Sequence, residues 1–138
     1  MRDVSADLVT FLAAAGLDLA SGVNLFAGPV REVEEGDGFV PGPAVFVLQT
    51  GGTVEPYVAA RRTVRRDVTV QVKVRGPRED FEGGQAWASS VLSALTVADV
   101  PGYSSVCATD GAPFYGGSDG SDRHWWSFSV DATFEEAP

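Results

Sequence analysis

At 138 residues the chain has the length of one domain, and it can bury a core without a disulfide or metal staple. Hydrophobic residues at 44% and charged residues at 21% exclude general disorder, and no apolar run approaches the roughly 20 residues of a membrane-spanning helix. Nineteen acids against ten bases give a net charge of −9, which excludes a surface that grips nucleic acid by broad phosphate neutralisation.

The opening Met1-Arg2-Asp3-Val4-Ser5 carries an early acid and no apolar core, which argues against a secretory signal. One cysteine, Cys107, excludes an internal disulfide and fits folding in a reducing compartment. Val4 to Ala15 reads as a helix, with Leu8, Phe11, Leu12 and Ala15 on one face. Asp3 or Ser5 caps it, and Gly16 stops it. Gly22 to Pro29 reads as a short apolar strand ending in a turn. Val30 to Gly38 carries Glu32, Glu34, Glu35 and Asp37, an exposed acidic connection without the ligand spacing of a metal site.

Ala44 to Thr50 reads as an interior strand, apolar on both sides from Ala44 to Leu48 and ended by Gly51-Gly52. Thr53 to Ala60 is a link, and Arg61 to Arg66 a cationic loop. The next strand, 67–75, is the strongest signal in the chain. Val68, Val70, Val72 and Val74 alternate with Thr69, Gln71, Lys73 and Arg75, the period of a half-buried strand. Pro77 to Val97 reads as a second helix with Phe81, Ala88, Val91, Leu92 and Leu95 as its apolar stripe. Gly83-Gly84 weakens its first turns, so either the backbone packs closely there or the helix becomes regular only afterwards. Tyr103 to Thr109 is a short strand, and Asp110 to Asp122 a flexible loop rich in Gly, Ser and Asp. In the closing strand, His124 to Phe134, Trp126, Phe128, Val130, Ala132 and Phe134 face the core, and Trp125 faces out beside Arg123. This order predicts one α+β domain, a mostly antiparallel sheet with two helices packed on one face.

The bases are unevenly placed. Seven of the ten, Arg61, Arg62, Arg65, Arg66, Lys73, Arg75 and Arg78, fall in one stretch whose only acid is Asp67. A solvated basic strand face explains this, and so does a head-to-tail contact with an identical acidic copy. Candidate interface residues are therefore Arg61, Arg62, Arg65, Arg66, Lys73 and Arg75. Trp125, an outward tryptophan beside an arginine, joins them as an anchor unless a loop covers it.

Chemistry finds no foothold in the sequence. His124 is the only histidine, with Asp122 nearby and no nucleophile in a recognisable setting. Gly116-Gly117-Ser118-Asp119-Gly120 lacks the Lys-Ser/Thr and the helix of a phosphate loop. Cys107 reads as a buried, inert thiol with no zinc-binding partners. The expectation is a protein that is not an enzyme and holds no cofactor or metal.

Several segments together resemble small tailed-bacteriophage proteins: tail terminators, also described as minor capsid or tail completion proteins. The opening helix is followed by a short strand. Tyr57-Val58-Ala59-Ala60-Arg61-Arg62-Thr63-Val64 precedes the Val-x-Val-Gln-Val-x-Val-Arg-Gly strand Val68–Gly76, and an acidic, alanine-containing helix follows at once. The run Pro113–Val130 resembles the family's loop and closing strand; Val33–Gly38 has no counterpart. The resemblance implies the lambda-type terminator fold and a homo-hexameric ring that caps the head-proximal end of a tail tube. It implies a location in the virion at the head–tail junction, after assembly in the host cytoplasm. Its implied partners are identical copies, the tail tube protein and the head–tail connector, with DNA only as passing cargo. On that view Arg61, Arg62, Arg65 and Arg66 meet acids on a neighbouring subunit or on the tube, and the 110–122 loop orders on assembly. A head-completion or connector protein is the alternative within the virion. A small binding module using the basic 61–78 stretch is the alternative outside it.

Overall fold

The computed structural model describes residues 1–29, 43–56, 63–118 and 123–137. The acidic connection expected at 30–38, the basic pair Arg61 and Arg62, and Asp122 lie outside the described residues. The elements run α1 (Val4–Ala13), β1 (Leu25–Ala27), β2 (Ala44–Pro56), β3 (Val64–Arg78), α2 (Phe81–Thr96), β4 (Ser105–Ala108), β5 (Phe114–Ser118) and β6 (Arg123–Glu136).

The strands form one six-stranded sheet in the order β1-β2-β3-β6-β4, with β5 also paired to β6. β1 joins β2 in parallel; the other pairings are antiparallel, so the sheet is mixed. β4 and β5 share one flank of β6: β4 pairs with its Val130–Thr133 part and β5 with its His124–Ser127 part. The α+β class expected from the element order therefore holds.

Alternation makes the core. Val68, Val70, Val72 and Val74 of β3 and Trp126, Phe128, Val130, Ala132 and Phe134 of β6 are all buried, in one cluster with Val45 and Val47 of β2. That cluster also takes in Val4, Leu8, Val9 and Leu12 of α1 and Ala88, Val91, Leu92 and Leu95 of α2. Asp3 caps α1 by accepting from the Ala6 N–H at 3.1 Å. The buried face of α1 runs through Val4, Leu8 and Leu12; Ala15, expected on it, is exposed because the helix ends at Ala13. Where α1 meets β2, the Ser5 hydroxyl accepts from the Gln49 N–H at 3.0 Å, giving an edge N–H a partner.

Several boundaries differ from expectation, each for a local reason. β2 does not stop at Gly51-Gly52 but runs on to Pro56 through a bulge between Gln49 and Gly51. A Cβ at Gly52 would stand 2.9 Å from the Val68 Cα, so glycine here permits close approach to β3 rather than ending the strand. Arg65 and Arg66 are strand residues of β3, not loop residues, because Val64 to Asp67 find partners on both β2 and β6. Pro77 belongs to β3, at the break in its register with β6 between Arg75 and Arg78, where a missing N–H breaks no rung. α2 starts at Phe81, with Asp80 as cap accepting from the Gly83 N–H at 2.9 Å. The 110–122 stretch is not all loop, since Phe114–Ser118 pairs with β6 as β5.

Candidate functional site

The sheet face that carries Phe46, Lys73 and Trp125 divides into three parts. At the β1 end lies a small aromatic cluster. Phe26 stacks on Phe46 at 5.5 Å between ring centroids, and Phe46 on Trp125 at 6.2 Å. The Arg75 guanidinium lies over both the Phe46 ring, at 5.7 Å, and the Trp125 ring, at 5.5 Å. Arg75 points away from the helices as alternation requires, but it is only 2% exposed. The expectation that it lies on a wet, partner-binding face is therefore corrected: the aromatic rings of neighbouring strands cover its stem and head. Trp125 also faces outward, half-buried against Ala44 and Phe46.

At the opposite end, β3 and β6 knit a polar network. The Thr133 hydroxyl donates to Asp67 Oδ1 at 2.6 Å, and the Thr69 hydroxyl donates to Asp131 Oδ1 at 3.2 Å. Arg65 donates to Asp67 at 3.3 Å and lies 4.0 Å from Glu55. These groups line a groove of about 480 Å³ that also includes Cys107. The thiol is half-buried there rather than sealed in the core. Arg66 projects to the helix side and forms a hydrogen-bonded ion pair with Glu136. Both described arginines of the expected cationic loop thus engage acids of their own chain.

Between these ends lies a cleft of about 490 Å³, lined by Gln71 and Lys73 of β3, Phe114, Gly116 and Ser118 of β5, and Trp125, Trp126 and Ser127 of β6. Lys73 is half-buried in it, and among the described residues it has no ion-pair partner. Phe114 is 71% exposed at its rim.

His124 sits in an aromatic cluster at the start of β6. Its ring meets Phe81 at 5.2 Å and Trp126 at 6.1 Å, and Nδ1 shares a 2.7 Å hydrogen bond with the Tyr115 hydroxyl. That bond gives one ring nitrogen a partner. Among the described residues no three His, Cys, Asp or Glu side chains gather as metal ligands would. On the helix side, the Tyr103 hydroxyl donates to Asp7 Oδ2 at 2.6 Å, with Arg2 over its ring at 5.2 Å. Burial first, then the bond to the Asp7 carboxylate, raise the Tyr103 pKa above the usual tyrosine range.

Of the expected interface residues, Lys73 and Trp125 come together at the cleft, Arg75 packs beneath Trp125, and Arg65 and Arg66 are directed to acids elsewhere. Phe114 escaped the sequence reading because the glycine-rich segment around it carries no alternation. The Asp67–Thr133 and Thr69–Asp131 bonds depend on the β3–β6 register, which no local pattern encodes. No protein-family model matches the chain, and no curated protein matches it.

Proposed function

We propose that this protein is a structural virion component that forms a ring capping the head-proximal end of a phage tail tube and joins that tube to the head connector. One observation carries the reading. The segments that resemble tail terminators are neighbours in space: Val68–Gly76 lies on β3, the acidic helix α2 follows it, and the Pro113–Val130 run supplies β5 and the first half of β6, which pairs with β3. In this reading the domain is a mostly antiparallel sheet with both helices on one face, and the open face and flanks serve contacts between subunits. Identical copies, the tube protein and the connector are its partners, and DNA passes through the lumen without being held. The net charge of −9 supports a passage that repels phosphate rather than binding it.

The test is the native mass by light scattering across concentration, with and without the tail tube protein from the same source. A ring of defined size, formed by the protein alone or on meeting tube ends, supports the reading. A monomer indifferent to the tube removes it.

A further inference from the structure

We propose that the cleft over β6, between Lys73 of β3 and Phe114 of β5, takes an acidic segment from a second copy of this chain, a contact that rests on the ring reading for its partner. Three observations converge there. Lys73 is half-buried in the cleft without an acid beside it among the described residues, whereas Arg2, Arg65 and Arg66 each have one. Phe114, exposed at the rim, offers apolar surface next to that charge. The third is Trp125 of β6, an outward aromatic that lines the same cleft between them.

An acidic segment laid over β6 between Lys73 and Phe114 would turn a carboxylate toward Lys73 and apolar side chains toward Phe114 and Trp125. The Ser127 hydroxyl, opposite Lys73 in the β3–β6 register and lining the same cleft, can donate to the same carboxylate.

Charge selects the occupant. The chain is strongly acidic, and Glu32-Val33-Glu34-Glu35-Gly36-Asp37 is a run of acids without a base that every copy carries. Cleft and acidic run are different surfaces, so the contact is head-to-tail and propagates into a ring or a filament.

The experiment uses the full chain in sedimentation velocity over a range of concentrations. Lys73→Glu and Phe114→Ser are each expected to weaken self-association by about tenfold or more, the scale of a close interfacial charge contact. Their near-UV circular dichroism should match wild type. The double reversal Glu34→Lys/Glu35→Lys should weaken association equally. An equimolar mixture of that variant with Lys73→Glu should assemble again, because copies can then alternate. Wild-type assembly by both cleft variants overturns the inference and leaves the ring reading standing. Loss of assembly in Lys73→Glu with no effect of the acidic reversal overturns the stated occupant. If wild type stays monomeric both alone and with the tail tube protein, the ring reading fails by itself. A synthetic peptide of residues 31–38 then decides: binding that Lys73→Glu abolishes upholds the inference, and no binding overturns it.

Discussion

The edge of the Trp126 indole lies 2.7 Å from the point where a Cβ on Gly84 would stand, and the Gly76 Cα lies 3.3 Å from that same point. Two glycines therefore let the first turns of α2 settle directly on the β3–β6 sheet. Gly84→Ala should raise helix propensity by about 1 kcal/mol, yet overpacking against the ring costs about 1–3 kcal/mol. The ring is held by its own strand, so the loss should win. Urea denaturation followed by tryptophan fluorescence should give a lower midpoint for Gly84→Ala, and a raised midpoint would show that the helix shifts freely on the sheet.

Arg75 is buried over Phe46 and Trp125, so its removal strips a stacked cation and the packing of its stem together. Arg75→Ala should destabilise the fold by about 2 kcal/mol or more. Arg75→Lys should recover little of this, because an ammonium cannot stack as a planar guanidinium does. Thermal melts of the three proteins check the order; equal stability of the lysine variant and wild type would mean that charge alone matters there.

Arg66 and Glu136 join β3 to the end of β6 from the helix side of the sheet. Both side chains are partly exposed, so Glu136→Gln should cost only about 0.5–1 kcal/mol at low ionic strength, fading as salt screens the pair. Arg66→Glu should cost more, since it sets two carboxylates together. Chemical denaturation at low and high salt separates these cases. It also tests whether Arg66 holds the fold rather than a neighbour, because a fully stable Arg66→Glu protein would return this arginine to the list of interface candidates.

Tyr103 gives the fold an alkaline limit. Its pKa is raised in the folded protein, by burial and by the Asp7 carboxylate, so the neutral phenol is the form that folding favours. Its contribution is therefore complete below the unfolded value of about 10 and is lost as pH rises from there through the higher folded value. The melting temperature should fall above about pH 10 more steeply in wild type than in Tyr103→Phe. Parallel slopes for the two proteins would rule the contact out as their source.

The parts of this architecture visible in the sequence are those written in a period of two. Val68 to Val74 and Trp126 to Phe134 announce both central strands and their buried faces, since alternation is a local property. What stayed hidden depends on pairing. Gly51-Gly52 and Pro77 carry strong stop signals, yet each lies inside a strand because a bulge or a register break absorbs it. Arg75 looked wet because nothing near it in the chain shows that Phe46 and Trp125 stand on the same face. The partner of Arg66 is 70 positions away, beyond any motif. The candidate cleft was half legible: Lys73 and Trp125 follow from alternation, whereas Phe114 needed β5 to be placed.

The placing of β6 between β3 and the β4–β5 flank also dictates when the molecule can close. β2 and β3 are consecutive strands and can zip as a hairpin, but Val70 finds Val130 only after α2, β4 and β5 have been passed. Pairings so distant along the chain must overcome a large loop-closure entropy and set a slow folding rate. During synthesis the valine row of β3 leaves the ribosome well before Phe128 and Phe134 exist to flank it. Until β6 arrives, one whole edge of β3 lies open beside that apolar row, and the protein is at its most vulnerable to aggregation in this interval.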